Sequence, residues 1–151
     1  HSGRPTYLRL DREILTSITP SSNGFHFYRM QTDSAKRKKL IISCGYLGLS
    51  IHHGLRSGVA DLLLIEDFDV IKSPDLRQLV SGYDAILSVE EHVLNTGLAA
   101  LLTRHGVTAS IGSFVPLGLT GPNRFGYNHR NKLWDDCGVD VNSVVKKTEE
   151  L

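Results

Sequence analysis

Cysteine is scarce. The 151 residues contain two, Cys44 and Cys137. Two cannot build a disulfide framework or a cysteine-ligated zinc site, and a reducing, cytoplasmic setting is expected. Charge of one sign is also missing: Lys+Arg number 17 and Asp+Glu 16, a net charge of +1. A dedicated nucleic-acid binder needs a large basic excess, so that class is set aside. No apolar run approaches the ~20 residues of a membrane span. His1-Ser2-Gly3-Arg4 is not followed by the apolar stretch of a secretory signal. The first residue is not Met, so the chain reads as a piece of something longer. There is no G-x-S-x-G elbow, no Walker A loop and no G-x-G-x-x-G. Internal repeats and low-complexity stretches are absent as well.

What remains is a globular composition, 40% hydrophobic and 22% charged, at a length that suits one ordinary domain. Residues 1–12 read as a strand carrying Tyr7, Leu8 and Leu10. Residues 13–24 hold the turn-rich Thr19-Pro20-Ser21-Ser22-Asn23-Gly24, as in a linker. From Phe25 the pattern becomes regular. Phe25–Met30 has strand composition. The basic run Lys36-Arg37-Lys38-Lys39 reads as a solvated turn between strands rather than a phosphate patch.

Leu40–Cys44 is an apolar run suited to a strand buried on both faces. Leu47, Ile51 and Leu55 then fall at helical spacing, with Gly58 expected to close the helix. Asp61–Ile65 is a further strand. Ser73-Pro74-Asp75 opens a helix with a cap, a Pro at N1 and a favourable charge; Leu76, Leu79 and Val80 form its buried face and Gly82 ends it. Asp84–Val89 is a third central strand. Asn95-Thr96 is expected to cap a helix with Leu98, Leu101, Leu102 and a closing Gly106. Val107–Val115 reads as extended. Asn128–Asp136 reads as a short helix with Leu133 and Trp134 before Gly138, and Asp140 caps a last helix with Val141, Val144 and Val145 facing in. Strands alternating with short helices imply a mostly parallel sheet with helices on both faces.

Three groups of residues could carry chemistry. Glu90-Glu91-His92 follows a central strand, at the end where α/β proteins bind ligands, and a carboxylate beside an imidazole suits acid–base work. The plainer reading is a loop whose charges are exposed or bond helix N-termini. His52 and His53 are adjacent on a helix and point about 100° apart, which does not make a metal pair. Gly118-Leu119-Thr120-Gly121-Pro122-Asn123 is glycine-rich but lacks the strand-to-helix setting of a phosphate loop. Cys44 reads as inert packing within a buried strand. The residues by themselves give a compact α/β domain without a self-sufficient catalytic set.

The order of motifs resembles the C-terminal domain of transketolase-type thiamine diphosphate enzymes, over residues 3–151. Gly3-Arg4-Pro5-Thr6-Tyr7-Leu8-Arg9-Leu10 looks like the last strand of the family's pyrimidine-binding domain. Leu40–Gly45 resembles its first Rossmann-like strand. Asp69-Val70-Ile71-Lys72-Ser73-Pro74-Asp75 resembles the "t-i-K-P-l-D" segment, with Ser73 in place of a more usual residue. Ser88-Val89-Glu90-Glu91-His92 resembles "t-v-E-E-H". Thr96-Gly97-Leu98-Ala99 resembles "G-G-L-G" with its first and last glycines replaced.

The resemblance implies a three-layer α/β/α sandwich around a five-stranded, mostly parallel sheet, with one antiparallel strand, Phe25–Met30. Residues 1–24 would be the tail of the preceding domain plus linker, and residues 25–151 the C-terminal domain itself. The family moves two-carbon ketol units between sugar phosphates, in pentose phosphate metabolism, with thiamine diphosphate and Mg²⁺ held between the two preceding domains. The family's metal-binding G-D-G…N signature is missing here, so this piece is expected to bind neither and to be inactive alone. Its implied partners are the preceding catalytic domains and a second copy in a homodimer, with no nucleic acid and no membrane. An arginine shortly after the pyrimidine domain's last strand binds substrate phosphate in the family; Arg12 is the position implied, with Arg9 nearby, and a planar fork suits that task. The alternative is that both arginines decorate an interdomain surface. The parent could equally be a deoxyxylulose phosphate synthase or a 2-oxo acid dehydrogenase β-subunit. From the residues alone, a regulatory or ligand-binding module or a free-standing interaction domain also remains open.

Overall fold

A computed structural model describes residue 19 and residues 21–31, 37–119 and 129–151. The strand over residues 1–12, residues 13–18 and Pro20 of the linker, Ser34–Lys36, Thr120–Asn123, Arg9 and Arg12 lie outside the described residues.

Five strands form one sheet: β1 Phe25–Tyr28, β2 Lys39–Cys44, β3 Asp61–Ile65, β4 Ala85–Val93 and β5 Ser113–Leu119. Their order across it is β1-β3-β2-β4-β5. β1 runs antiparallel to β3, and the other neighbours are parallel. The helices are α1 Gly45–Gly54, α2 Pro74–Val80, α3 Leu98–Arg104, α4 Arg130–Cys137 and α5 Val141–Glu149, with a 3₁₀ turn at Phe68–Lys72.

Period-two alternation sorts the strand residues between two layers. Ile41, Leu62, Leu64, Leu87 and Val89 pack with Leu47 and Ile51 of α1, Trp134 of α4 and Val144 of α5. Leu40, Ile42, Leu63, Ile65 and Ile86 pack on the other face with Ile71, Leu76 and Val80, and with Leu98 and Leu102 of α3. This is the three-layer α/β/α sandwich, mostly parallel with one antiparallel strand, that the resemblance implies. A fully buried Leu or Ile contributes about 1.5–3 kcal/mol relative to exposure, so these two layers carry the stability.

Local signals formed as expected where their partners are near in sequence. Ser73 Oγ accepts from Asp75 N at 3.1 Å, with Pro74 behind it. Asp140 Oδ1 accepts from Asn142 N and Ser143 N. Four expectations need correction. α1 closes at Gly54, where a Cβ would meet Val141 Cγ1 at 2.6 Å; the close approach of α5 fixes that end. Gly58, with φ +91°, sits in the following turn instead. α3 is capped at Gly97 rather than at Asn95-Thr96. The extended run begins at Ser113, because residues 107–110 are turns and Val107 is buried under α3. Finally, β4 continues to Val93 and so includes Glu90, Glu91 and His92.

In the described part of the basic run, Arg37 and Lys38 are exposed in the connection before β2, as expected, and Lys39 begins that strand. Lys39 Nζ donates to the carbonyls of Thr148 and Glu149 at 2.7 and 3.3 Å, and Arg37 to that of Leu151. Cations at the carbonyl end of α5 meet the negative pole of its dipole.

Candidate functional site

The chain leaves β2 toward β3 on one side and returns to β4 on the other. The carboxyl ends of β2 and β4 therefore flank the switch point, the usual place for a ligand in such a sheet. Glu90-Glu91-His92 arrive there on β4.

They lie in a break of the β4–β5 ladder. Val89 pairs with Leu117, while Val93 pairs with Leu119, so β4 spends two extra residues between these pairs. Such bulges re-aim side chains. Glu90 is fully buried toward the α3 face. Its Oε2 accepts from Leu98 N at 2.6 Å and its Oε1 from Ala99 N at 2.9 Å. Gly97, the N-cap of α3, supplies no side-chain bond, so the Glu90 carboxylate caps the helix from the neighbouring strand. Negative charge also suits that pole of the helix.

Glu91 points to the opposite layer. Its Oε1 accepts from Trp134 Nε1 at 2.8 Å and lies 3.3 Å from Arg130 Nε. The Arg130 guanidinium is 5.0 Å from the centre of the Tyr46 ring, and Tyr46 and Trp134 ring centres are 5.8 Å apart. α1, β4 and α4 are thus tied together at the sheet's carboxyl end. Beneath them Ser43 Oγ donates to the Val89 carbonyl at 2.7 Å.

His92 is exposed at the end of the strand. The three residues therefore do three separate things. Glu90 holds α3, Glu91 holds α4, and His92 faces outward. They do not converge as an acid–base set, and the loop expected for them is a bulged strand. The Glu91–Trp134–Arg130 tie was not foreseen. Glu91 and Trp134 stand 43 positions apart, and no local pattern connects them.

Elsewhere the adjacent histidines of α1 separate as expected: His52 is half-buried and His53 exposed. Among the described residues, no three His, Cys, Asp or Glu side chains are placed to hold a metal ion. A cleft of about 330 Å³ opens beside the end of β3, lined by Gly24, Phe25, Asp67, Val70, Ser73 and Asp75. Among the described residues no helix is long and apolar enough to cross a membrane.

No protein-family profile matches the chain, and no curated protein matches it in sequence. Its fold is matched among solved structures. A split-gene transketolase, present as an inactive beta4 tetramer, superposes with a TM-score of 0.61 at 15% identity. The match covers 88% of this chain and 43% of that one, so this chain spans less than half of that protein's length. At this identity the likeness is one of fold.

Proposed function

We propose that this chain is the C-terminal, architectural domain of a transketolase-like transferase. The parent would move two-carbon ketol units between sugar phosphates. The observation that carries the reading is the fold match over 88% of the chain, on top of the ordered motifs from Leu40 to Ala99. The site geometry supports an architectural role. Both oxygens of Glu90 are filled by helix amides, and Glu91 is engaged by an indole and a guanidinium. Carboxylates whose oxygens are committed in this way hold a structure in place rather than present a free oxygen to a substrate. The same commitments weigh against a ligand-binding module at the switch point.

The cofactor belongs to the preceding domains in this reading. The described residues do not fit a pyrophosphate with its metal: they present no metal-holding cluster, and the strand-end carboxylates are already taken. The carbanion chemistry is therefore assigned to those domains. Homodimer contacts and a cytoplasmic location go with the same proposal, as does the substrate-phosphate role of Arg12, with Arg9 beside it.

The test has two arms. Calorimetry of this chain with thiamine diphosphate and Mg²⁺ should give no heat of binding. The full enzyme that contains it should transfer a ketol unit between sugar phosphates when supplied with both. Micromolar binding by the isolated chain, or a full enzyme without ketol transfer, overturns the assignment.

A further inference from the structure

The seam between the edge strand β1 and helix α1 carries a row of four rings. His26 and Tyr28 lie on one face of β1, with ring centres 6.2 Å apart. His52 of α1 packs against Tyr28 at 4.0 Å, and His53 follows at 5.5 Å. At one end, His26 Nε2 is 2.9 Å from Glu66 Oε1, and Glu66 Oε2 accepts from Ser21 N at 2.8 Å. In the middle, His52 Nδ1 is buried and has no hydrogen-bond partner among the described residues.

We propose that this row is an acid-sensitive latch, in which neutral His52 seats Tyr28 against α1 and protonated His52 releases β1 from the domain edge.

The chemistry at His26 and at His52 differs. A charged His26 keeps a carboxylate partner in Glu66. A charged His52 gains none: its buried Nδ1 becomes an N–H donor with no acceptor among the described residues. Among the described residues, the titratable groups facing its ring are His26 and Tyr28 from β1 and His53 from its own helix, with Glu66 behind His26. α5 approaches the end of this helix with the apolar Val141. The face of Tyr28 attracts a cation. That attraction is opposed by two imidazoles and by the missing acceptor.

Burial, then the charges of His53 and His26, hold the His52 pKa below the ordinary histidine value of 6.5. The folded state thus favours the neutral ring. This contribution to stability is complete above pH 6.5 and is lost as the pH falls through the depressed value.

β1 is the element such a charge would free first. It has four residues and, among the described residues, a single ladder partner, β3. Short edge strands open at lower free energy than central ones.

Amide exchange near pH 7.5 and pH 5.5, corrected for intrinsic rates, reads the latch directly. Amides of Phe25–Tyr28 should lose about three- to tenfold protection in acid while those of Leu40–Cys44 keep theirs. His52→Phe should abolish the difference between the two pH values. His53→Gln, which leaves the Tyr28 contact in place, should reduce it. The proposal fails if β1 and β2 lose protection together, if β1 loses none, if His52→Phe retains the loss, or if His53→Gln leaves it undiminished.

Discussion

The carboxylate of Glu90 occupies the space that a side chain at Gly97 would need. A Cβ at position 97 would lie 1.5 Å from Glu90 Oε2 and 2.5 Å from its Cδ. Only a residue without a side chain lets the strand carboxylate reach the amides of Leu98 and Ala99. Gly118 of β5 closes the other side, where a Cβ would come within 3.2 Å of Glu90 Cγ and 2.7 Å of the His92 carbonyl.

Gly97→Ala should therefore cost about 2–4 kcal/mol, because it drives a buried carboxylate off its donors. Glu90→Ala should cost about 1–3 kcal/mol by leaving the two amides unmet. In the double variant the clash has no target, so the combined loss in urea unfolding should fall well short of the sum. Simple additivity would show that the two residues do not share this contact.

Glu91→Ala should loosen α4. Trp134 is the sole tryptophan of the sequence and is 6% exposed, so its emission reports the docking of that helix. The variant should shift the emission to the red and lose about 1–2 kcal/mol. Glu91→Gln keeps an acceptor for the indole and should retain the blue emission with a smaller loss. An unshifted spectrum in Glu91→Ala would mean that apolar packing alone seats Trp134.

Tyr83 should make the protein alkali-sensitive. Its hydroxyl donates to Asp61 Oδ2 at 2.6 Å, while Asp61 Oδ1 accepts from Met30 N and Gln31 N. Burial, then the bond to Asp61 and the charge of that carboxylate, push the phenol well above its ordinary pKa of 10.0, with Arg29 opposing weakly. A raised folded-state pKa gives stability that is complete below pH 10 and lost as the pH rises further. Tyr83→Phe should cost about 1–2 kcal/mol at neutral pH. Its deficit against the wild type should shrink above pH 10. A deficit that stays constant to pH 11 would rule out this linkage.

If Arg12 has the proposed phosphate role, Arg12→Ala in the proposed parent enzyme should lose a charge-assisted contact worth roughly 1.5–3 kcal/mol, or ~10- to 150-fold in kcat/KM. The loss should be far smaller for substrates without phosphate. His92→Ala should leave kcat nearly unchanged and act on stability or dimer affinity. Equal losses for Arg12→Ala on both substrate types would end the phosphate assignment. A large kcat loss for His92→Ala would end the architectural one.

The sequence by itself determined what depends on near neighbours. Ser73-Pro74-Asp75 starts a helix because cap, ring and charge act within one turn. Leu40–Ile42 and Leu62–Ile65 are apolar throughout because each run packs on two layers, and that composition places them at the centre of the sheet. The mostly parallel layer architecture was legible on these grounds, whereas the antiparallel first strand followed only from the family resemblance.

Tertiary structure alone decided the rest. Glu90-Glu91-His92 reads as a loop because charged residues end an apolar run. It is strand because β5 pairs beyond it, and the extra residues of β4 form a bulge whose register only β5 sets. Once there, alternation sends one carboxylate to α3 and the next to α4. Asn95-Thr96 looks like a cap, but the amides of α3 are met from the preceding strand by a buried carboxylate. A cap supplied by another element, or an indole bond 43 residues away, leaves no periodicity to read.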